Sequence, residues 1–250
     1  MKLLTLNTWG SRVPELFEYI RGHAETVDIF CFQEVLRGGV GKTGRDEIKD
    51  AFEQLQDMLP EHHGVFFEYG DGGYYGEKSS TLDFTFGVAY FVRKTLPYAD
   101  LGGTVLFSNE KSWSDFPCRL AAGAMQGVVV GGLAIGNVHG LWQEGTNKRD
   151  SGARFEQLAI IQRFFAERAE KVVLCGDFNV IPDTQFVHTL DQQYLNLIET
   201  YNVTSTRSTL YEKELRLADY VFVDKSIHVR DFCAEDVAVS DHLPLVVDIA

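Results

Sequence analysis

Apolar, β-branched and aromatic runs recur along the whole chain: "KLLTLN", "DIFCFQEV", "HGVFFEY", "FTFGVAYFVR", "MQGVVVGGLAIGNVH", "KVVLCGDFNV", "ADYVFV" and "LPLVVDI". Short runs of this kind, bounded by Gly, Pro, Asn or Asp, read as buried strands. Between them the apolar positions switch to helical spacing. "PELFEYIRGHA" carries Pro14 near its start, "RDEIKDAFEQLQDML" reads as helical, and in "RFEQLAIIQRFFAERA" Phe155, Leu158, Ile161, Phe164 and Phe165 follow helical spacing. There is too much strand for a helical bundle, so the expected class is α/β or α+β. The Gly-rich stretches at 38–44 and 70–76 are read as loops. No stretch has a linker's Pro, Gly or Ser content and none repeats at a fixed period, so residues 1–250 are expected to form one domain.

The polar positions are less regular, and they gather where strands end. In "CGDFNV", Asp177 and Asn179 follow the apolar run "KVVL" and precede Pro182. At i and i+2 of an extended chain they are expected to point the same way. The same placement recurs: Asn7 closes "LLTLN", Glu34 closes "DIFCFQE", Asn137 and His139 close "LAIGNVH", Asp219 opens the run "DYVFV", and Asp241 and His242 precede "LPLVVDI". Each taken singly is a turn residue or a satisfied core polar group. Six such placements spread over nearly the whole chain are hard to assign to six independent turns, and they suggest polar groups brought together by the fold.

Composition narrows the partners. The chain has 250 residues, 45% hydrophobic and 24% charged, enough to bury a substantial core, with a formal net charge of −13. An acidic average surface disfavours gripping long polyanions through a broad basic face. The opening "MKLLTLNTWG" is too short in its apolar part for a secretory core or a membrane span, which gives an expectation of a cytoplasmic protein. Cys31, Cys118, Cys175 and Cys233 show no CxxC spacing, which favours free thiols over disulfides or structural zinc. "GGVGKTG" at 38–44 fails as a phosphate-cradling loop, because the position five before Gly41 is Leu36 and no helix pattern opens at Thr43.

Together "LTLNTWG", "DIFCFQEV", "GNVHG", "CGDFNVIPDT", "LADYVFV" and "SDHLPL" resemble, in order, the motifs of the endonuclease/exonuclease/phosphatase superfamily, with its DNase-I-like fold. The resemblance runs from residue 3 to about 247 and rests chiefly on GDFN and SDH. It implies a four-layer sandwich: two packed, mainly antiparallel β-sheets flanked by helices, with the site at one edge. It also implies roles. Glu34 is the principal ligand of Mg²⁺, or alternatively Mn²⁺, and Asn7 and Asp241 complete or orient that shell. Asp177 orients or deprotonates the attacking water, and Asn179 donates to the phosphate. His242 contacts the phosphate and is oriented by Asp219, while His139 assists the phosphate or the leaving group. Arg154 and Gln157 resemble a supporting feature at a helix start. Arg119 and Arg207 are weighed evenly between phosphate forks and ordinary salt bridges and stay outside the candidate set. Of Trp9, Trp113 and Trp142, the last, just after His139, is the best candidate for a groove wall.

The expected function is divalent-metal-dependent hydrolysis of a phosphodiester or phosphomonoester by in-line attack of an activated water. A nuclease, and more remotely a non-catalytic module of the same fold, are the alternatives. The loop "LWQEGTNKRDSG" and the segment between Glu34 and Phe84 lack the basic, aromatic-interleaved texture of a nucleic-acid groove. The expected partner is therefore a compact phosphate ester rather than a long duplex, bound by a monomer.

Overall fold

A computed structural model of the chain describes residues 1–69, 82–107, 120–121, 123–166, 168 and 171–250. Fourteen strands are seen among them: β1 (Lys2–Asn7), β2 (Ile29–Arg37), β3 (His62–Glu68), β4 (Thr85–Arg93), β5 (Tyr98–Phe107), β6 (Leu120–Ala121), β7 (Gly123–Val130), β8 (Leu133–His139), β9 (Trp142–Gln143), β10 (Val172–Asp177), β11 (Tyr194–Asn196), β12 (Asp219–Asp224), β13 (Val229–Ala234) and β14 (Leu245–Ile249). The helices are α1 (Glu15–His23), α2 (Ala51–Met58), α3 (Gly152–Ala166), α4 (Gln185–Gln193) and α5 (Leu197–Thr200).

Twelve of the strands form two six-stranded sheets, ordered β13-β14-β1-β2-β4-β3 and β11-β12-β10-β8-β7-β5, while β6 pairs with β9. Both sheets are antiparallel except for one central parallel pair each, β1 with β2 and β8 with β10. These parallel pairs occupy the middle of each sheet, where β1 and β2 meet β10 and β8 face to face. The sequence-based sandwich is thus what the chain forms.

Period-two alternation explains why the central runs are apolar throughout. In β1 and β2, Leu3, Ile29 and Cys31 join the core between the sheets, while Leu4, Leu6, Phe30 and Phe32 pack with Leu16 and Ile20 of α1 and Phe52 and Leu55 of α2. Burying both faces leaves no alternation to read in the sequence. On the second sheet, Leu158, Ile161, Phe164 and Phe165 of α3 join the main core, as their spacing predicts, while Phe155 in the first turn is exposed.

Two local expectations change. The helix expected from Arg45 begins only at Ala51. Glu47 is drawn into the interior, where it accepts from Arg12 at 2.7 Å and from Thr43 Oγ1 at 2.6 Å, and Ile48 N donates to Gly10 O. A tertiary ion pair thus overrides helical preference over residues 45–50. The single run ending at His139 is a hairpin, β7 and β8, turned by Gly131 and Gly132, both with positive φ. Cys31 and Cys175 are buried free thiols and Cys233 is an exposed one. No helix among the described residues is long and apolar enough to cross a membrane. Trp113, Cys118, Arg119 and the 70–76 stretch lie outside the described residues.

Candidate active site

Along the inner faces of the four central strands, apolar residues give way to polar ones toward one end of the sandwich. The series are Leu3, Thr5, Asn7; Ile29, Cys31, Gln33; Ile135, Asn137, His139; and Val173, Cys175, Asp177. Register aligns them: Asn7 lies beside Gln33, and Asp177 lies between His139 and Asp219. Because both central pairs are parallel, their carboxyl-terminal ends open at one edge.

The polar layer beneath that edge is hydrogen-bonded. Gln33 Nε2 donates to Thr5 Oγ1 (3.1 Å) and Asn137 Oδ1 (2.6 Å). Asn137 Nδ2 donates to the carbonyls of Phe32 (3.0 Å) and Ala89 (2.9 Å). Phe32 and Ala89 flank the point where the β2–β4 register slips, between Phe32 and Val35. Asn137 therefore satisfies carbonyls at a bulge, and at that bulge Glu34 takes φ 56°. A left-handed conformation at a non-glycine residue is strained, and here it turns the Glu34 carboxylate into the groove.

Two glycines let the second sheet close up. A Cβ on Gly176 (φ 127°) would lie 2.1 Å from Val138 O, and one on Gly140 would lie 2.2 Å from Phe178 O. This approach lets Gly140 N donate to Asp177 O at 2.6 Å. Strand β10 ends at Asp177, and Asn179 has φ 55°, with its N–H donating to Asp177 Oδ1 at 2.8 Å. The shared strand face expected for this pair is therefore replaced by a side-chain-closed turn. Both residues still line the groove, and Asn179 Nδ2 is steadied by Gly140 O at 3.0 Å.

The structure brings all eight candidate residues to this edge. Asn7 Nδ2 faces Glu34 Oε1 (3.0 Å) and Asp177 Oδ2 (3.3 Å), and Asn7 Oδ1 accepts from Trp9 N. His139 Nε2 is 3.5 Å from Glu34 Oε1, and its Nδ1 shares a 2.5 Å hydrogen bond with the Tyr69 hydroxyl. Across the groove, His242 Nδ1 and Asp219 Oδ1 are 2.6 Å apart, and Thr206 Oγ1 donates to Asp219 Oδ2 at 2.7 Å. His242 Nε2 is 3.6 Å from Asp177 Oδ2 and 3.7 Å from Asp241 Oδ1. Ser240 pins this corner by donating to Asn7 O at 2.7 Å and accepting from His242 N. The groove, about 920 Å³, also takes in Trp9, Trp142, Tyr211, Lys148 and Arg207.

Arg207 and Lys148 are the residues that sequence reasoning left out. Arg207 is 6% exposed and lies among three carboxylates. An isolated bridge joins its backbone to His242, and its Nη1 contacts His242 Nε2. Lys148, half-buried, is anchored by its carbonyl, which accepts from Ile181 N. Neither belongs to a strand-end motif; the sequence weighs Arg207 evenly between a phosphate fork and a salt bridge, and nothing in it singles out Lys148. Arg154 is fully buried as a support, with Nη1 donating to Thr146 Oγ1 and the Arg149 carbonyl, and Gln157 Oε1 accepts from Leu141 N at 2.7 Å.

The charges are strongly interdependent. Burial would raise the Asp177 carboxyl, but Lys148, His242, Arg207 and His139 together hold it well below the usual carboxylate range. Burial raises Asp241, with help from Glu34 and Asp219, against His242 and Arg207. For His242, burial and Arg207 favour the neutral ring, yet Asp219, Asp241 and Asp177 prevail and raise it. Lys148 is pushed down to about 8 by burial and Arg207, against three carboxylates.

A two-sheet sandwich whose parallel strand ends gather carboxylates, amides and histidines in one groove defines a DNase-I-like hydrolase fold. The chain belongs to the endonuclease/exonuclease/phosphatase family, whose model matches residues 4–242 and whose members hydrolyse phosphate esters. Its fold is similar to that of a family protein from Bacteroides thetaiotaomicron (18% identity, TM-score 0.69, covering 100% of this chain and 97% of that one). It is also similar to the mannosyl-6-phosphatase of the same species (18%, TM-score 0.67, 100% and 99%). A third similar structure is the human Nocturnin catalytic domain with bound sulfate (17%, TM-score 0.62, 100% and 93%). No curated protein matches the sequence significantly.

Proposed function

We propose that the chain is a divalent-metal-dependent phosphoesterase acting on a compact substrate. The observation that carries this reading is the position of Asp177. Its Oδ2 is within 3.3 Å of Asn7 on the Glu34 side and 3.6 Å from His242 on the other, so one ionised carboxylate stands between two chemically different walls.

The Glu34 side fits a hard cation. Glu34 and Asp241 offer carboxylate oxygens, and Asp241 Oδ1 is buried with no hydrogen-bond partner, which leaves a desolvated acceptor that a cation would saturate. Mg²⁺ or Mn²⁺ bound by Glu34 and Asp241 would neutralise charge on the phosphoryl group. Asn7 presents its N–H₂ to Glu34 and Asp177, so its role is to orient that shell. A second trio, Asp177, Asp219 and His242, also has metal-like spacing, within 4.8 Å. Its His242–Asp219 hydrogen bond and the adjacent Arg207 charge favour reading it as the proton- and phosphate-handling side.

In this reading Asp177, held ionised, accepts a hydrogen bond from the attacking water and aims it at phosphorus. His242, fixed by Asp219, and Asn179 contact the phosphoryl oxygens. His139, fixed by Tyr69 and beside Glu34, is placed for the leaving group. The similar mannosyl-6-phosphatase and the sulfate-bound Nocturnin domain support a phosphate-ester substrate. Hydrolysis of a panel of phosphomonoesters and phosphodiesters with Mg²⁺ or Mn²⁺, against an EDTA control, tests the proposal. Metal-dependent turnover of at least one class is expected, and no turnover of any would overturn it.

A further inference from the structure

Arg207 is a buried guanidinium that closes no carboxylate hydrogen bond among the described residues. Three carboxylates surround it, but Nη1 is 3.7 Å from Asp241 Oδ2, Nη2 is 3.8 Å from Asp177 Oδ2 and Nε is 4.0 Å from Asp219 Oδ2. All three distances exceed a good N–H···O hydrogen bond, which lies at about 2.7–3.2 Å. Among the described residues Nε has no hydrogen-bond partner, and Nη1 hydrogen-bonds only with His242 Nε2. An ordinary buried Arg–carboxylate pair closes into a two-pronged fork, because leaving such a charge unsaturated is costly. Here three acids hold the guanidinium in place without occupying it.

The backbone fixes its aim. Beyond the bridge between Arg207 and His242, Leu243 N donates to Thr206 O and Ser208 N donates to Asp241 O. The loop carrying Arg207 is therefore tied on both sides to the loop carrying Asp241 and His242. Tyr211 covers the guanidinium face, its ring centroid 4.6 Å from Cζ. The Arg207 side chain lines the groove, on whose wall Lys148 adds a second cation.

Resting on the phosphoesterase reading above, we infer that Arg207, with Lys148, is the specificity-determining arm for a terminal phosphate, so that this chain takes phosphomonoester dianions in preference to phosphodiesters. A planar fork matches two phosphoryl oxygens at once. A monoester has a third non-bridging oxygen and a second negative charge, which the extra cation at Lys148 accommodates, whereas a diester puts an ester group in that place. The rim adds to the preference. Exposed Glu212 and Glu214 line the groove mouth, where their charge opposes the additional phosphates of a nucleic-acid strand.

Two measurements test this separately from the phosphoesterase reading. The first is titration calorimetry of inorganic phosphate, and of dimethyl phosphate as the monoanionic diester, into the Mg²⁺-loaded wild type, Arg207→Lys and Arg207→Ala. Wild type is expected to bind phosphate and to discriminate against dimethyl phosphate. Arg207→Ala should weaken phosphate about 10- to 100-fold, the size of a lost charged hydrogen-bonding pair, with Arg207→Lys between the two. The lysine variant keeps the charge among the three acids and serves if the alanine variant does not fold. The second is kcat/KM for p-nitrophenyl phosphate and bis(p-nitrophenyl) phosphate, where the monoester preference should collapse in both variants. Unchanged phosphate binding in Arg207→Lys or Arg207→Ala, or equal losses on both esters, would overturn the assignment. Weakened phosphate binding in the variants of a protein that hydrolyses none of the panel of esters would instead sink the phosphoesterase reading and leave Arg207 as a phosphate-binding residue.

Discussion

The two walls of the groove solve opposite electrostatic problems with the same kind of residue. On one wall Glu34 turns its carboxylate into the groove and Asp241 Oδ1 is buried without a hydrogen-bond partner, so both retain oxygens for a cation. On the other, Asp219 is saturated by His242 and Thr206, and Arg207 is a cation short of hydrogen-bond acceptors. Desolvated charge of one sign awaits a cation, and desolvated charge of the other awaits an anion. Between them Asp177 belongs to both. The difference shows that a cluster of acids in a groove need not be one site, because the partners each acid already has decide what it can still bind.

The largest effect should follow from removing the residue the walls share. Asp177→Asn keeps the shape of the group but loses its charge, and turnover should fall about 100-fold or more with an unchanged circular dichroism spectrum. Wild-type turnover in a folded Asp177→Asn protein would remove it from the mechanism.

The next pair of substitutions should separate the walls. Glu34→Gln removes charge from the cation side and should weaken Mg²⁺ or Mn²⁺ binding about tenfold or more by calorimetry. Asp219→Asn should leave metal affinity within about twofold while lowering kcat about tenfold or more, since it acts through His242 rather than through the cation. If Asp219→Asn weakened the metal as much as Glu34→Gln did, the trio of Asp177, Asp219 and His242 would be the metal site and the comparison would invert.

A smaller effect is expected behind the Glu34 wall. Asn137→Ala exposes the Phe32 and Ala89 carbonyls at the bulge to an apolar core without a donor, and should cost about 2 kcal/mol of stability in urea unfolding. Metal affinity should fall as Glu34 loses its fixed orientation. Stability loss with unchanged metal affinity would reduce Asn137 to core packing.

The smallest effect lies outside both walls and controls for acid unfolding. His62 is buried against Val27 O and Phe30, and its pKa is lowered from 6.5, mainly by burial. Its folded value is below its unfolded one, so its contribution is fully present above about 6.5 and is lost as pH falls through the lower folded value. The urea midpoint of wild type should therefore drop more steeply below that pH than the midpoint of His62→Gln. Parallel pH profiles would show that His62 is not the group that charges on unfolding.

Much of this was written in local pattern. Strand runs ending in Asn7, His139 and Asp177 announce polar groups at one edge, because residues of an extended segment alternate sides and apolar runs must be buried whatever their partners, whereas Glu34, expected at a strand end, sits at a bulge inside β2, which runs on to Arg37. The spacing of Leu158, Ile161, Phe164 and Phe165 likewise gave α3. Motif order then identified the family and the sandwich.

Other features depended on groups far apart in the chain. The helix expected from Arg45 yielded to Arg12 and Glu47, 35 positions apart. Asn179 left the strand because Gly140 and Asp177 closed a turn around it. Arg207 looks like any surface arginine in "TSTRSTL", and only its bridge to His242 and the carboxylates of Asp177, Asp219 and Asp241 make it a buried, unsaturated charge. Periodicity and propensity are carried by neighbours in sequence, so the chain alone determined its strands, its main helices and the edge where its polar residues lie. Electrostatic character is set by which charges meet across space in a desolvated groove, and that was decided only when the two sheets came together.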